Sequence, residues 1–489
     1  MHFKPSIVLL GHMSALSPLP SSHPPYDDAE KGALTLHHSV SPTLPKQEAI
    51  SVPSVKKAGK QPFSRRTLFA LWFNTYRKLF TFVVTLNAIA LGLTIGGLWQ
   101  YPVRHPGALI VGNITFGVMM RNELFGRILY LAVNILFSKW TPLWWRLCCT
   151  STLQHLGGIH SGCNTSGIVW LVWRVVTLFR ASRSFPGSIL SIGLISNVLL
   201  ALCAISAFPW IRNTHHNIFE RNHRFLGWCG LIATWIFIVL CDLYDTETYT
   251  YNITRSHIVR QQDFWFTFAL TFFIVWPWIV TRKVSVDIEL PSPKVAVIRS
   301  RRGMQQGLLS RISRSAVLEY HTFGVVSEGP NAKYHYLIVG VQGDFTRSLI
   351  KDPPTHLWTR QLKFAGVSNT SNLYRRGIRV CTGTGLGSAL STCIQNPEWY
   401  LIWIGSDQEK TYGPTINGLI HRHIDPSRCT LWDSTQRGGR PDVMKLIKEV
   451  YASWKPEVVF ITSNFQGNRE MMAGCMEAGI PAFGTLWDF

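Results

Sequence analysis

Between Leu79 and Val280 the chain carries a succession of apolar runs that an ordinary water-soluble domain does not tolerate. A helix that crosses a bilayer needs about 20 largely apolar residues. Leu79–Trp99, Leu153–Leu178, Phe185–Trp210, Phe225–Leu243 and Phe264–Val280 are of that kind. Gly107–Met120, extended past Arg121 and Glu123 by Leu124–Phe137, is a sixth candidate. Trp99, Trp210 and Trp278 stand at or near run ends, as in an aromatic belt. A buried core of a soluble bundle explains one such run but not six. The expectation is a multi-pass α-helical membrane domain of about six spans over residues 67–282, with the lipid bilayer as its partner.

Charge then sets orientation. Only 15% of residues are charged, yet the net charge is +21, so the location of the basic residues matters. They concentrate before the first run, in Arg121–Arg146, in Arg212–Arg224 and after Arg282. With six spans, both termini are predicted to be cytosolic, and the sequon Asn252-Ile-Thr254 falls in an outer loop. Residues 1–66, rich in Pro, Ser and His, predict a disordered tail without a cleavable signal. Its basic end (Lys56, Lys57, Lys60, Arg65, Arg66) reads as an anionic-lipid contact or topology signal, with no nucleic-acid partner expected. Ten cysteines without C-x-x-C or Cys/His spacing predict neither disulfides nor zinc.

After Arg282 the rhythm changes. Val284–Leu290, Lys294–Ser300, Leu308–Ile312, Val317–Val326 and Tyr334–Val341 are short strand-like runs separated by turns such as Glu328-Gly-Pro-Asn331. They predict a small antiparallel β-barrel over residues 283–375. From Gly377, strand-like and helix-like stretches alternate, which predicts a doubly wound parallel α/β domain over 376–489. Its first strand-to-helix turn is Thr382-Gly383-Thr384-Gly385-Leu386-Gly387. Gly383 suits the tight turn, Gly385 a close approach of backbone to a diphosphate, and Gly387 a close helix–sheet packing. Asp407, about 20 residues further on, stands where a ribose-binding acid stands in nucleotide sheets, which points weakly to NADH over NADPH. A plain strand-to-helix turn accounts for the same glycines.

Runs of this kind followed by a barrel and a nucleotide sheet resemble the ferric reductase and NADPH oxidase superfamily. Leu318-Glu-Tyr-His321-Thr-Phe323-Gly324 looks like its flavin motif, and Gly343-Asp-Phe-Thr346 like the stretch that follows. A closer resemblance is to fungal integral membrane flavoproteins of the transmembrane protein A (TmpA) type, with related sequence in fungal synthetase-like adenylate-forming proteins. It is carried by Leu156-Gly-Gly-Ile-His160-Ser-Gly, Glu220-Arg-Asn-His-Arg-Phe-Leu-Gly227, Thr411-Tyr-Gly-Pro414, Leu431-Trp-Asp433 with Gly439-Arg-Pro441, and Gly479-Ile-Pro-Ala-Phe-Gly484 with Trp487-Asp488. The resemblance implies FAD on the barrel, at Tyr320, His321, Thr322, Phe323 and Thr346, and NAD(P)H at Gly383, Thr384, Gly385, Gly387 and Asp407. Tyr320 and His321 are equally consistent with ordinary strand residues.

The chain departs from that pattern at several positions. The resemblance implies histidine pairs about thirteen or fourteen residues apart, stacking two haems about 20 Å apart across the bilayer. His155 is followed at those spacings by Ile168 and Val169, His160 by Trp173 and Arg174, and His223 by Ile236 and Phe237. At most one haem remains, held by His155 or His160 with His216 or His223, and helix packing explains the same histidines. Haem is not expected, and no metal site is. Gly324 replaces the flavin motif's Thr, and Leu390 a proline of the glycine motif. Where the resembling proteins carry a Cys facing the nicotinamide, this chain has Thr462-Ser463-Asn464, so either Ser463 substitutes or turnover is weak. The final Phe489 is either an aromatic cover for the flavin or a simple apolar end.

Two functions follow. One is a membrane flavoprotein oxidoreductase passing electrons from NAD(P)H through FAD to an unidentified small-molecule or protein acceptor, in a developmental or secondary-metabolite setting. The other is a catalytically weak flavin- or nucleotide-binding membrane sensor or scaffold.

Overall fold

A computed structural model describes residues 63–252, 255–317 and 319–486. Most of the predicted tail, Thr254 of the sequon, Leu318, the Trp487-Asp488 phrase and Phe489 lie outside the described residues, as does the side chain of His216.

Every apolar run folds as helix. They are α1 (Thr75–Ile95), α2 (Pro106–Met119), α3 (Glu123–Leu136), α4 (Leu143–Gln154), α5 (Gly157–Arg180), α6 (Gly187–Ser206), α7 (His216–Leu243) and α8 (Gln262–Ile279). Six spans are not what the helices support. Among the described residues three stretches are long and apolar enough to cross a membrane, Thr75–Ile95, Gly187–Ser206 and Ile218–Leu243. The second predicted run is divided at Arg121–Asn122, where the Asn122 side chain accepts from the amides of Leu124 and Phe125 and starts a new helix. Polar Asn164, Ser166 and Arg174 dilute α5, while α8 opens on Gln262-Asp263 and contains Pro277.

α1, α2, α5, α6, α7 and α8 pack side by side around Ile110, Val111, Trp170, Leu171, Ile189 and Leu270. Small residues permit the close crossings: a Cβ on Gly158 would stand 2.3 Å from the Tyr76 carbonyl, and one on Gly167 2.8 Å from the Ile114 side chain. Outside that core the bundle is greasy. Phe82, Leu86, Ile89 and Leu93 of α1, and Leu194, Ile195, Val198, Leu202 and Ile205 of α6, are exposed. Only 6% of the most apolar window of α1 is buried. So large an exposed apolar surface marks contact with lipid or protein.

α8 leads directly into the first sheet: β1 (Thr281–Ser285), β2 (Asp287–Ser292), β3 (Val295–Arg301), β4 (Leu308–Ser313), β5 (His321–Val326), β6 (Tyr334–Gly340), α9 (Asp344–Lys351), β7 (His356–Arg360) and β8 (Phe364–Ala365). The strands pair antiparallel in the order β1-β7-β4-β5-β6-β3-β2, with β8 on β4. Ala296, Ile298, Leu308, Ile312, Val325, Leu337 and Leu357 meet in one core, so the sheet curls on itself. The predicted run Val284–Leu290 is two strands, and β7 was not signalled by the sequence pattern.

A second sheet follows: β9 (Gly377–Thr382), α10 (Leu386–Gln395), β10 (Trp399–Gly405), α11 (Gln408–His423), β11 (Cys429–Asp433), α12 (Val443–Trp454), β12 (Val458–Thr462), α13 (Phe465–Glu477) and β13 (Ala482–Gly484). It is parallel throughout, in the order β11-β10-β9-β12-β13. Both faces are covered: Cys381, Trp399, Leu401 and Trp403 pack on one side, Ile378, Val380, Ile402 and Ile461 on the other.

Polar contacts join the helices to this sheet. Arg146 of α4 clasps Glu457 with both ends of its guanidinium, at 2.6 and 2.8 Å, and donates to the Leu373 and Thr141 carbonyls at 3.0 Å. The arginine and its backbone contacts hold the Glu457 carboxyl below its usual range against the opposing effect of burial. Thr150 meets the Tyr374 hydroxyl at 2.7 Å, and Gln154 donates to the Gly484 carbonyl at 2.6 Å. Removing one partner strands the other, so Arg146→Ala should cost about 3–5 kcal/mol. A double-mutant cycle with Glu457→Gln, read by thermal unfolding of the purified chain, checks this; additive losses would show that the pair is not coupled.

Candidate functional site

β9 lies between the second and fourth strands of its sheet, so the chain order reverses at its carboxyl end. Ligands of open α/β sheets bind in the crevice outside such a switch point. The glycine turn is there. Gly383 has φ +53°, the left-handed conformation that a glycine adopts without cost. Its carbonyl accepts from the Trp403 indole at 3.1 Å, and Tyr412 of α11 packs edge-on against that indole. Arg379, almost fully buried in β9, donates to the Ser388 carbonyl at 2.6 Å and to Ser368 at 2.9 Å, fixing the first turn of α10. Burial pushes the Arg379 guanidinium down to about 10.

The other two glycines stand in surroundings that the sequence pattern did not contain. A Cβ on Gly385 would stand 2.6 Å from the Thr462 carbonyl, so this glycine admits the neighbouring strand β12. A Cβ on Gly387 would stand 3.4 Å from the Ile338 Cβ of the antiparallel sheet, an ordinary contact, so the helix start leaves room for a side chain there. Gly324 of β5 meets the same helix end: a Cβ there would be 2.5 Å from the Gly387 carbonyl. Thr384 lies against Gly340, whose added Cβ would be 2.8 Å from its hydroxyl. The antiparallel sheet thus meets the glycine turn and the start of α10 at close range.

Ser463 is buried at the switch point, its hydroxyl 2.7 Å from that of Thr382. Ser388 donates to the Thr462 hydroxyl at 3.0 Å. The structure therefore gathers Thr382, Ser388, Thr462 and Ser463 around the carboxyl ends of β9 and β12, a set of hydroxyls suited to an amide or ribose. Cys381, nearby on β9, is inert: burial raises its thiol well above the usual range.

Asp407 is exposed at the end of β10, in the left-handed region (φ 47°). Its amide and those of Thr435 and Gln436 all donate to one oxygen of Asp433, while the Gln408 amide donates to the other. Burial alone would raise the Asp433 carboxyl, yet these four amides outweigh it and hold it below 3.8.

On the barrel, the predicted flavin residues divide by face. Phe323 turns into the barrel core. His321 stacks on Phe345 at 4.1 Å and lies 2.9 Å from Glu319. Thr346 caps α9, accepting from the amides of Gln342 and Gly343 at 2.9 and 3.0 Å, so its hydroxyl is engaged in the fold. Tyr320 donates to the Ala316 carbonyl at 2.9 Å beneath the Arg360 guanidinium. Thr322 is exposed, beside Arg311 in register. Arg311 and Arg360 share a single carboxylate, buried Glu123 at the start of α3, at 3.2 and 2.5 Å. Arg360 Nε is buried without a hydrogen-bond partner, and Arg311 is a third exposed. Two guanidiniums with one carboxylate fit an additional anion, such as a flavin nucleotide's diphosphate, on this face. The motif search missed Glu123, Arg311 and Arg360 because they converge from three separate elements.

Among the histidines, His155 Nδ1 lies 2.7 Å from the Ser151 carbonyl, four residues back. His160 lies on α5 and His223 on α7. Their Nδ1 atoms lie 2.8 Å from the Gly117 carbonyl and 3.1 Å from the Cys203 carbonyl. Each neutral ring therefore carries its proton on Nδ1 and keeps the Nε2 lone pair, the arrangement of a ligating histidine. Among the described residues no cluster of three or more His, Cys, Asp or Glu could hold a metal ion.

Residues 367–489 match a family described as "Adenylate-forming reductase 03009, C-terminal domain". Adenylate-forming reductase 06235 of Coprinopsis cinerea is 31% identical over 424 residues, 85% of this chain and 40% of that protein. Adenylate-forming reductase 03009 of the same fungus is 30% identical over the same shares. The chain spans about 40% of the length of these curated relatives. Its relatives are thus fungal adenylate-forming reductases, where the sequence motifs had suggested membrane flavoproteins more directly. Among solved structures, the ferredoxin reductase in carbazole 1,9a-dioxygenase overlaps 42% of this chain and 69% of that chain, at 13% identity and a TM-score of 0.33. A flavohemoglobin from Malassezia yamatoensis with bound FAD and heme overlaps 79% and 96%, at 13% and 0.36.

Two outcomes test the geometry. Gly324→Thr, which restores the motif's hydroxyl, should destabilise the chain by about 1–3 kcal/mol, because its Cβ enters the Gly387 backbone; an unchanged unfolding midpoint would show that the contact yields. The stability contributed by Asp433 should be complete above the ordinary carboxylate range and lost as pH falls through its lower folded pKa. Asp433→Asn should therefore lower stability near neutral pH and flatten the acid limb of a urea-unfolding profile.

Proposed function

We propose that the chain is a membrane-anchored flavoprotein oxidoreductase that takes hydride from NAD(P)H and passes electrons to a separate acceptor. The observation that carries this reading is the glycine turn at the switch point of a parallel sheet, in backbone contact with β5 of a curled antiparallel sheet. The reductase names of its relatives agree with it. In this reading residues 283–375 form the flavin module, 376–489 the nucleotide module and 67–282 the membrane module. The exposed apolar faces of α1 and α6 support lipid contact.

Each residue's task follows from its place. The amides at the start of α10 face a diphosphate, and Asp407 stands at the ribose. Ser463 and Thr382 orient the nicotinamide amide at the crevice. Arg311 and Arg360 hold the flavin diphosphate on the face that bears Thr322, with Tyr320 and His321 bordering it. A bound flavin supplies the conversion of a hydride into single electrons. Glu123 balances part of the cationic charge and links that face to the helices.

A second reading, a nucleotide-binding sensor or scaffold with weak turnover, is favoured by Gly324. The position that would offer a hydroxyl to flavin is instead closed by the α10 helix end. An absorbance spectrum of the purified chain, with NADH and NADPH oxidation by ferricyanide, separates the two. Flavin bands with turnover are expected. Ser463→Ala should lower turnover by up to about tenfold, the equivalent of a hydrogen bond worth about 1–1.5 kcal/mol. Absence of flavin and of turnover would leave the scaffold.

A further inference from the structure

The segment after β11, Ser434-Thr-Gln-Arg437-Gly-Gly-Arg440, is exposed for most of its length, yet its backbone is tightly built. Asp433 accepts the amides of Thr435 and Gln436, and its carbonyl accepts that of Arg437. The Ser434 amide donates to the Gly405 carbonyl at 2.7 Å, and the Gly439 amide returns to the Ser434 carbonyl at 2.8 Å. The Trp432 indole donates to the Gly439 carbonyl at 2.9 Å. Gly438 and Gly439 adopt φ of 68° and 157°, conformations that side chains resist. This much backbone organisation holds two exposed arginines. The Arg437 guanidinium lies over the Trp432 ring at 4.6 Å, and among the described residues neither Arg437 nor Arg440 has a carboxylate partner.

Location gives the loop its meaning. Asp433 Oδ1 binds the amides of Thr435, Gln436 and Asp407 together, so the arginine loop and the predicted ribose-binding turn share one anchor. In a dinucleotide sheet this end of the second strand reads the adenosine ribose: a carboxylate there binds a free 2′-hydroxyl, whereas a nearby Arg accommodates a 2′-phosphate. Both signals are present. Two unpaired arginines on a preorganised loop outweigh the single exposed carboxylate of Asp407, and Arg is suited to paired hydrogen bonds with phosphate oxygens.

We infer that the loop 434–440 selects a dinucleotide carrying a 2′-phosphate, with Arg437 and Arg440 as the specificity-determining residues, reversing the NADH preference suggested by Asp407. This inference rests on the nucleotide-binding reading of the switch point. Isothermal titration of the purified full chain with NADP+ and with NAD+ tests it, with 2′-AMP and 5′-AMP as smaller probes. NADP+ should bind more tightly, and Arg437→Ala or Arg440→Ala should weaken it by about 10- to 100-fold while changing NAD+ affinity little. Asp407→Asn should raise the ratio of NADP+ to NAD+ affinity. Thermal unfolding of each variant separates a lost phosphate contact from a lost loop, and Arg440→Ala leaves the Trp432 stack in place. Tighter binding of NAD+, or equal losses for both dinucleotides, would overturn the inference and leave the proposed function standing. Binding of neither by the parent chain would overturn both.

Discussion

The contact between Gly324 and Gly387 is the point on which the site depends. The backbone of β5 and that of the first turn of α10 approach within the space that a single methyl group on Gly324 would fill. That approach seats the start of α10 on β5, and with it the crevice at the end of β9. The same contact removes from β5 the hydroxyl that the flavin-like motif would otherwise carry. Close packing of β5 on α10 and a hydroxyl at that position exclude one another, because both need the same few cubic ångströms. The chain has the close packing.

A similar economy governs the junction with the helices. Glu123 begins α3 and faces Arg311 and Arg360 from two strands, while Arg146 of α4 reaches Glu457 beside the parallel sheet. Ion pairs of this kind stabilise a junction mainly by making its separation costly, since each charge is left in a low dielectric once its partner moves. The apolar surface of the bundle has no such partners. Its aliphatic side chains on α1 and α6 require an environment that the other described residues do not supply.

Much of the architecture was legible in the residues. The five strands of the parallel sheet fall close to the runs read from the sequence, because strands buried on both faces are continuous apolar stretches flanked by helical periodicity. Helix at every apolar run was equally legible. The number of spans was not, since the break at Arg121–Asn122 depends on a capping side chain and the exposure of each helix depends on its neighbours. Of the candidate site, the glycine turn and Asp407 were expected from spacing, and Ser463 from the family resemblance. Tyr412, Arg379, Asp433 and the Arg311–Arg360–Glu123 group were not, for each meets a partner on a different element, from 9 residues away for Arg379 and Ser388 to 237 for Arg360 and Glu123.

By itself, then, the sequence determined where the chain is helical, where it forms each sheet, and that a glycine turn follows the first parallel strand. Local pattern suffices for these because propensity, periodicity and turn chemistry act over a few residues. Only the tertiary structure decided what each glycine is for. Gly385 admits a neighbouring strand, Gly324 admits the backbone of α10, and the arginines after β11 come to the ribose end of the turn through a shared carboxylate. Those are distances between segments far apart in the chain, and no spacing along it encodes them.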